Sequence, residues 1–175
     1  AANYPELVTN LILESSVSFE EWPDRKTRRV ARAAFNSFIE PITWGITHQL
    51  FRIAPDAMLR AMMGSLSTLP SKSVVEDFSE EERKKLNSLF KQMRSGSGFS
   101  NDLIPSEDIT SSIVQPTLII ASKNDGAVAL SHAESLQRSI ASSKLELVDT
   151  LSHFLWVGSN AIQEKRIVAD FLKIK

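Results

Sequence analysis

The chain has 175 residues, 42% of them hydrophobic, enough for one domain with a core of its own. Lysine and arginine total 20 against 21 aspartates and glutamates, a formal charge of -1, so no electrostatic pull toward nucleic acid or an anionic membrane is expected. No cysteine is present, which excludes disulfides, thiolate zinc sites and a cysteine nucleophile, and no run of about 18 apolar residues could span a bilayer.

The first residues, Ala1-Ala2-Asn3-Tyr4-Pro5, include no methionine, basic region or apolar signal segment. The natural chain is therefore expected to begin further upstream, and a cytoplasmic location is the working expectation. After a Tyr-Pro-Glu turn, residues 7–13 (LVTNLIL) predict a short buried strand. From about residue 22 to residue 93 the pattern is helical. Val30, Ala34, Phe38 and Ile39 recur at helix spacing, with Arg25, Arg28, Arg29 and Arg32 between and before them. A second helix starts at Pro55, a residue suited to the first helical position, and groups Met58, Leu59, Met62 and Met63 before Gly64. In the third, Ser79 and Glu82 form a capping box ahead of an apolar face of Leu86, Leu89, Phe90 and Met93. Ser95-Gly96-Ser97-Gly98 ends it. Pro116 then introduces residues 117–121 (TLIIA), a run suited to a strand buried on both faces of a parallel sheet. A helix over about 128–140 turns Ala133, Leu136 and Ile140 inward. A strand at 145–148 and a helix over about 161–172, packed through Ile167, Val168, Phe171 and Leu172, complete the chain. Strand, helix, strand, helix in that order implies parallel crossovers.

Open α/β sheets place their ligands at the carboxyl ends of the strands. Ser122-Lys123-Asn124-Asp125-Gly126 follows one strand and Leu151-Ser152-His153-Phe154 the next. Neighbouring parallel strands would bring Asp125 and His153 to one edge. A carboxylate there can accept the Nδ1 hydrogen, fix the tautomer and leave the other ring nitrogen as general base.

The stretch PTLIIASKNDGAVALSHAESLQRSIASSKLELVDTLSHF resembles the C-terminal signature of the α/β-hydrolases: a Pro-initiated seventh strand, an aspartate at its end, a helix, an eighth strand and the catalytic histidine. The 28 residues between Asp125 and His153 fit it. The start, ANYPELVTNLIL, resembles the segment after that family's nucleophile elbow, where a helix ends, turns and enters the sixth strand. The resemblance implies a partial α/β-hydrolase fold of about three parallel strands with flanking helices. It divides the chain into the start of a hydrolase core (1–18), a helical cap (19–112) and the C-terminal part of the core (113–175). Three positions depart from the family pattern: Ser122 and Ser152 stand where glycine is usual, and Ala129 where proline is usual. The G-x-S-x-G elbow is absent from the 175 residues; by the family's layout it belongs roughly ten residues before Ala1. The resemblance thus implies a parent that hydrolyses ester, acyl or carbon–carbon bonds without a cofactor, through Asp125, His153 and an upstream serine or aspartate. No metal is expected, because no pair of histidines with carboxylates has ligand spacing. The chain by itself is expected to be inactive. The alternative is a non-catalytic binding or interaction protein on the same scaffold.

Candidate substrate contacts are Val128, Phe154 and Trp44, for a mainly apolar small molecule. Trp22, Trp44, Phe51, Met58, Met62 and Met63 are read as core by default, with the lining of an apolar substrate pocket as the lesser alternative for each. His132 is expected in solvent and His48 in packing or solvent. The basic run Arg25-Lys26-Arg28-Arg29-Arg32 is read as the wet face of a helix. Gly96-Ser97-Gly98 follows a helix rather than opening one, the wrong place for a phosphate cradle. If the fifth strand is missing, the edge of the sixth should seek a second copy or the absent N-terminal half.

Overall fold

A computed structural model describes residues 1–23, 25–36, 38–96, 98, 101, 103–104 and 107–173; Ser97 of the Ser-Gly-Ser-Gly stop and the side chains of Arg25 and Lys26 lie outside the description. Three strands, β1 (Leu11–Glu14), β2 (Thr117–Ser122) and β3 (Ser143–Val148), form a parallel sheet in the order β1-β2-β3. The register pairs Leu11 with Thr117 and Thr117 with Ser143. Between β1 and β2 lie α1 (Arg25–Ala34), α2 (Glu40–Ile53), α3 (Pro55–Leu66), α4 (Ser71–Asp77) and α5 (Glu80–Gln92); α6 (Leu130–Ser139) links β2 to β3, and α7 (Ala161–Lys173) follows β3.

The period-two alternation of β2 explains the layers. All six of its residues are buried. Ile119 and Ala121 face Ala133, Leu136 and Ile140 of the α6 region, while Leu118 and Ile120 face Ile167, Val168 and Phe171 of α7. Each such aliphatic side chain taken from water contributes about 1.5–3 kcal/mol, which is why the central strand has no polar face. A third core holds the helical block together: Phe51 stacks on Phe90 with ring centroids 5.3 Å apart, among Leu59, Met63, Val74, Phe78 and Leu86. Val157, Leu151 and Phe154, from the loop after β3, pack into the same cluster. The Ser79–Glu82 capping box forms as read, and Glu82 also accepts from the Gly158 N–H at 2.9 Å, tying α5 to that loop.

Several expectations are corrected. The first strand covers Leu11–Glu14, not residues 7–13: Pro5 opens a 3-10 turn, Pro5–Leu7, and Leu7 is 75% exposed. A strand extends only where it has a partner, and β2 begins opposite Leu11. Val30, Ala34, Phe38 and Ile39 do not share one helix face. The helix stops at Ala34 because the Asn36 side chain accepts from the Phe38 and Ile39 amides, a local bond that competes with the helix ladder. Val30, Phe38 and Ile39 are exposed, and Ala31 is the buried residue among the described side chains of α1. The α2 helix, with Pro41 in its first turn, and α4 were not foreseen, and α3 continues through Gly64 to Leu66. Leu89, Met93 and Leu172 remain exposed. Arg28 is not on a wet face: its guanidinium donates to the Trp22 and Pro23 carbonyls and pairs with Glu21 at 3.2 Å. Among the described residues no helix is long and apolar enough to cross a membrane.

Candidate active site

The chain turns sharply after β2. Asp125 N–H donates to the Ser122 carbonyl, and the Asp125 carboxylate is only 2% exposed. Its two oxygens have different partners. Oδ1 accepts from the Ala127 and Val128 amides, both at 2.8 Å, which folds the loop around it. Oδ2 lies 2.8 Å from His153 Nδ1. Gly126 is required by crowding: a Cβ there would meet the Ser67 backbone at 2.7 Å, where an isolated bridge pairs Ser67 with Asp125.

His153 is fixed through its backbone. Its N–H donates to the Leu66 carbonyl at 2.7 Å, and its carbonyl accepts from Ser15 Oγ at 3.0 Å. Ser15 sits just past β1 with φ of +43°, a left-handed conformation that disfavours L residues by roughly 1–2 kcal/mol; the turn it makes aims its hydroxyl at His153. The loops after β2 and β3 are joined as well. Ser122 Oγ and Asn124 Nδ2 both donate to the Thr150 carbonyl, at 2.7 and 3.0 Å. With the Nδ1 hydrogen donated to a buried carboxylate, the imidazole carries its free lone pair on Nε2, the arrangement of a general base.

Beside the imidazole is a cavity of about 470 Å³. Val128 lines it with His153, so two of the five residues singled out from the sequence border it. Asp125 stands behind His153. Phe154 turns away into the helical core, 6.1 Å from Phe90 and 5.2 Å from Trp156 between ring centroids. Trp44 is buried against Phe35 and His48 and donates to Ser95 Oγ at 2.9 Å; neither Phe154 nor Trp44 lines the cavity. Sequence reading missed the segment after β1 as a wall of the cavity, and Trp22, read by default as core with the pocket as the lesser reading, borders it. Irregular backbone has no period to detect. The expectation of a solvated His132 is corrected: this side chain is buried, with Ser18 against its Nδ1. His48 is on the surface of the helical block and bonds the Met93 carbonyl. Burial of Glu164 and then the neighbouring Glu14 hold the Glu164 carboxyl above the ordinary carboxylate range.

No family model matches the chain. A curated relative, the uncharacterized hydrolase YcgS of Bacillus subtilis (strain 168), is 31% identical over 179 aligned positions, covering 99% of this chain and 63% of that protein. An alpha/beta hydrolase fold protein from Nakamurella multipartita superposes with a TM-score of 0.69 at 19% identity, over 98% of this chain and 63% of its own. The chain carries the C-terminal part of an α/β-hydrolase fold. An enol-lactonase from Burkholderia xenovorans LB400 matches with a TM-score of 0.64 at 18% identity, over 99% of this chain and 59% of its own. The chain thus spans less than two thirds of the length of each of these proteins.

Within the α/β-hydrolase fold, the three departures are accommodated. Ser122 is satisfied by the Thr150 carbonyl, buried Ser152 accepts from the Phe154 amide at 3.3 Å, and Ala129 occupies the N-cap of α6.

Proposed function

We propose that this chain is the acid-and-base portion of a cofactor-free hydrolase acting on esters or related acyl or carbon–carbon bonds. Asp125 orients His153, and His153 Nε2 takes the proton of a nucleophile supplied from the N-terminal part of the intact protein. It then returns that proton to the leaving group and activates water. The helical block, residues 19–112, acts as the cap that selects a mainly apolar small molecule. One observation carries this reading: a buried carboxylate 2.8 Å from Nδ1 of a histidine beside a cavity, both at the carboxyl edge of adjacent parallel strands. The similarity to an uncharacterized hydrolase and to an enol-lactonase supports the same class of reaction.

The chain alone, without an elbow nucleophile, turns over nothing under this reading. The test is hydrolysis of p-nitrophenyl butyrate by the intact protein and its His153→Ala variant. Loss of turnover in the variant supports the role of His153, and unchanged turnover rejects it. The serines at positions 122 and 152 favour a second reading, a binding protein without catalysis. An elbow lacking serine, cysteine and aspartate in the upstream coding sequence would decide for that one.

A further inference from the structure

Residues 15–22 form neither helix nor strand, yet Ser15, Val17, Ser18, Glu20 and Trp22 all border the cavity beside His153. Such a segment holds a shape only if side chains moor it. Four moorings are present. Ser15 Oγ donates to the His153 carbonyl, and Trp22 Nε1 donates to the Ala127 carbonyl at 2.8 Å. Ser135 Oγ donates to Glu20 Oε1, and Ser18 meets His132. His132 and Ser135 are three residues apart on α6, hence on one face of it.

The His132 contact is the buried one, with the imidazole 5% exposed and Ser18 8% exposed. Both the Ser18 backbone N–H, at 3.3 Å, and its Oγ, at 2.9 Å, approach the same atom, Nδ1. A backbone N–H can only donate, so Nδ1 must carry a lone pair, and His132 is the neutral tautomer protonated at Nε2. Ser18 Oγ then donates to that lone pair as well, and it accepts from the Glu20 amide at 3.2 Å. Removing the acceptor would leave a buried amide and the hydrogen of a buried hydroxyl without an acceptor.

We infer that His132 is a positioning residue: its Nδ1 fixes Ser18, and through Ser18 the cavity wall facing His153, so that it governs substrate affinity without touching substrate. The kinetic part rests on the hydrolase reading above; the mooring does not. His132→Leu removes the acceptor, whereas His132→Asn keeps one, since Oδ1 of asparagine occupies nearly the place of Nδ1.

The test has three arms. Long-range proton–nitrogen NMR of the unmutated chain should find His132 Nδ1 unprotonated and Nε2 protonated, and a protonated Nδ1 would overturn the inference even if no variant folds. Amide hydrogen exchange at Ser18 and Glu20 should accelerate about tenfold or more in His132→Leu and return toward the unmutated rate in His132→Asn; unchanged exchange in the leucine variant would overturn it. In the intact protein, His132→Leu should raise KM for p-nitrophenyl butyrate about tenfold with kcat within about threefold, and His132→Asn should restore KM. Faster exchange with unchanged KM would overturn the positioning role. Absence of turnover in the unmutated intact protein would count against the hydrolase reading alone, and the first two arms would still decide the mooring.

Discussion

Replacing Asp125 by asparagine separates the two tasks of its carboxylate. Oδ1 takes two amide hydrogens, from Ala127 and Val128, and Oδ2 takes one hydrogen, from His153. An asparagine has one acceptor oxygen, and the two amides compete for it against a single imidazole hydrogen. The oxygen therefore stays with the loop, and the NH2 group faces His153. There it donates to Nδ1, which forces the hydrogen onto Nε2 and removes the base. The fold should survive, because the loop keeps both bonds, whereas catalysis should fall about 10⁴-fold, or about 5 kcal/mol of transition-state stabilisation. Asp125→Ala loses both tasks. It should be as inactive as Asp125→Asn and also less stable, by about 1–3 kcal/mol for each buried amide left without a partner. The assay is kcat/KM for p-nitrophenyl butyrate in the intact protein, with thermal denaturation of both variants. Activity of Asp125→Asn within tenfold of the unmutated protein would refute the tautomer argument, and equal stability of the two variants would refute the division between the oxygens.

Three further outcomes are expected. Below about pH 4.5 the Glu164 carboxyl is protonated in both folded and unfolded chains and its full contribution to stability is present; as pH rises through its raised folded-state value the unfolded chain ionises first and stability is lost. Glu164→Gln should flatten that fall, which urea unfolding between pH 4 and 8 would show, and an unaltered pH profile would contradict it. Gly126→Ala drives a Cβ to 2.7 Å from the Ser67 backbone and should destabilise by about 1–3 kcal/mol; each of these lowers Tm by roughly 2–4 °C in a chain of this size, and calorimetry showing no change would refute the crowding argument. Among the described residues β1 pairs only with β2, so its outer edge should recruit a strand from a second copy or from the N-terminal part of the intact protein; light scattering of this chain alone should give a mass above 19.5 kDa, and a stable monomer would count against that expectation.

The parts of the fold legible in the sequence were those with a strong period or a fixed cap. The run from Thr117 to Ala121 announced a doubly buried strand, and the Ser79–Glu82 pair marked the start of α5 to the residue. Asp125 and His153 were legible because each lies a few residues past the end of a strand, and parallel pairing puts such positions on one rim. The first helical stretch was misread because its apolar period ran on through Asn36, whose side chain stops the helix. Pro41, with the β-branched Ile42, Thr43, Ile46 and Thr47, hid α2, whose stability comes from Trp44 and Phe51 packing inward rather than from propensity. The cavity wall was invisible for a different reason. Its shape depends on bonds between residues more than a hundred apart, such as Ser18 with His132 and Trp22 with Ala127, and no local pattern encodes them.

The hydrogen between Asp125 and His153 is the most direct test of the site. Proton and nitrogen NMR of the ring should place it on Nδ1, with a strongly downfield resonance that disappears in Asp125→Ala, and leave Nε2 of the neutral imidazole unprotonated. A spectrum with the hydrogen on Nε2, or one indifferent to the loss of Asp125, would mean that the pair is not oriented for base catalysis.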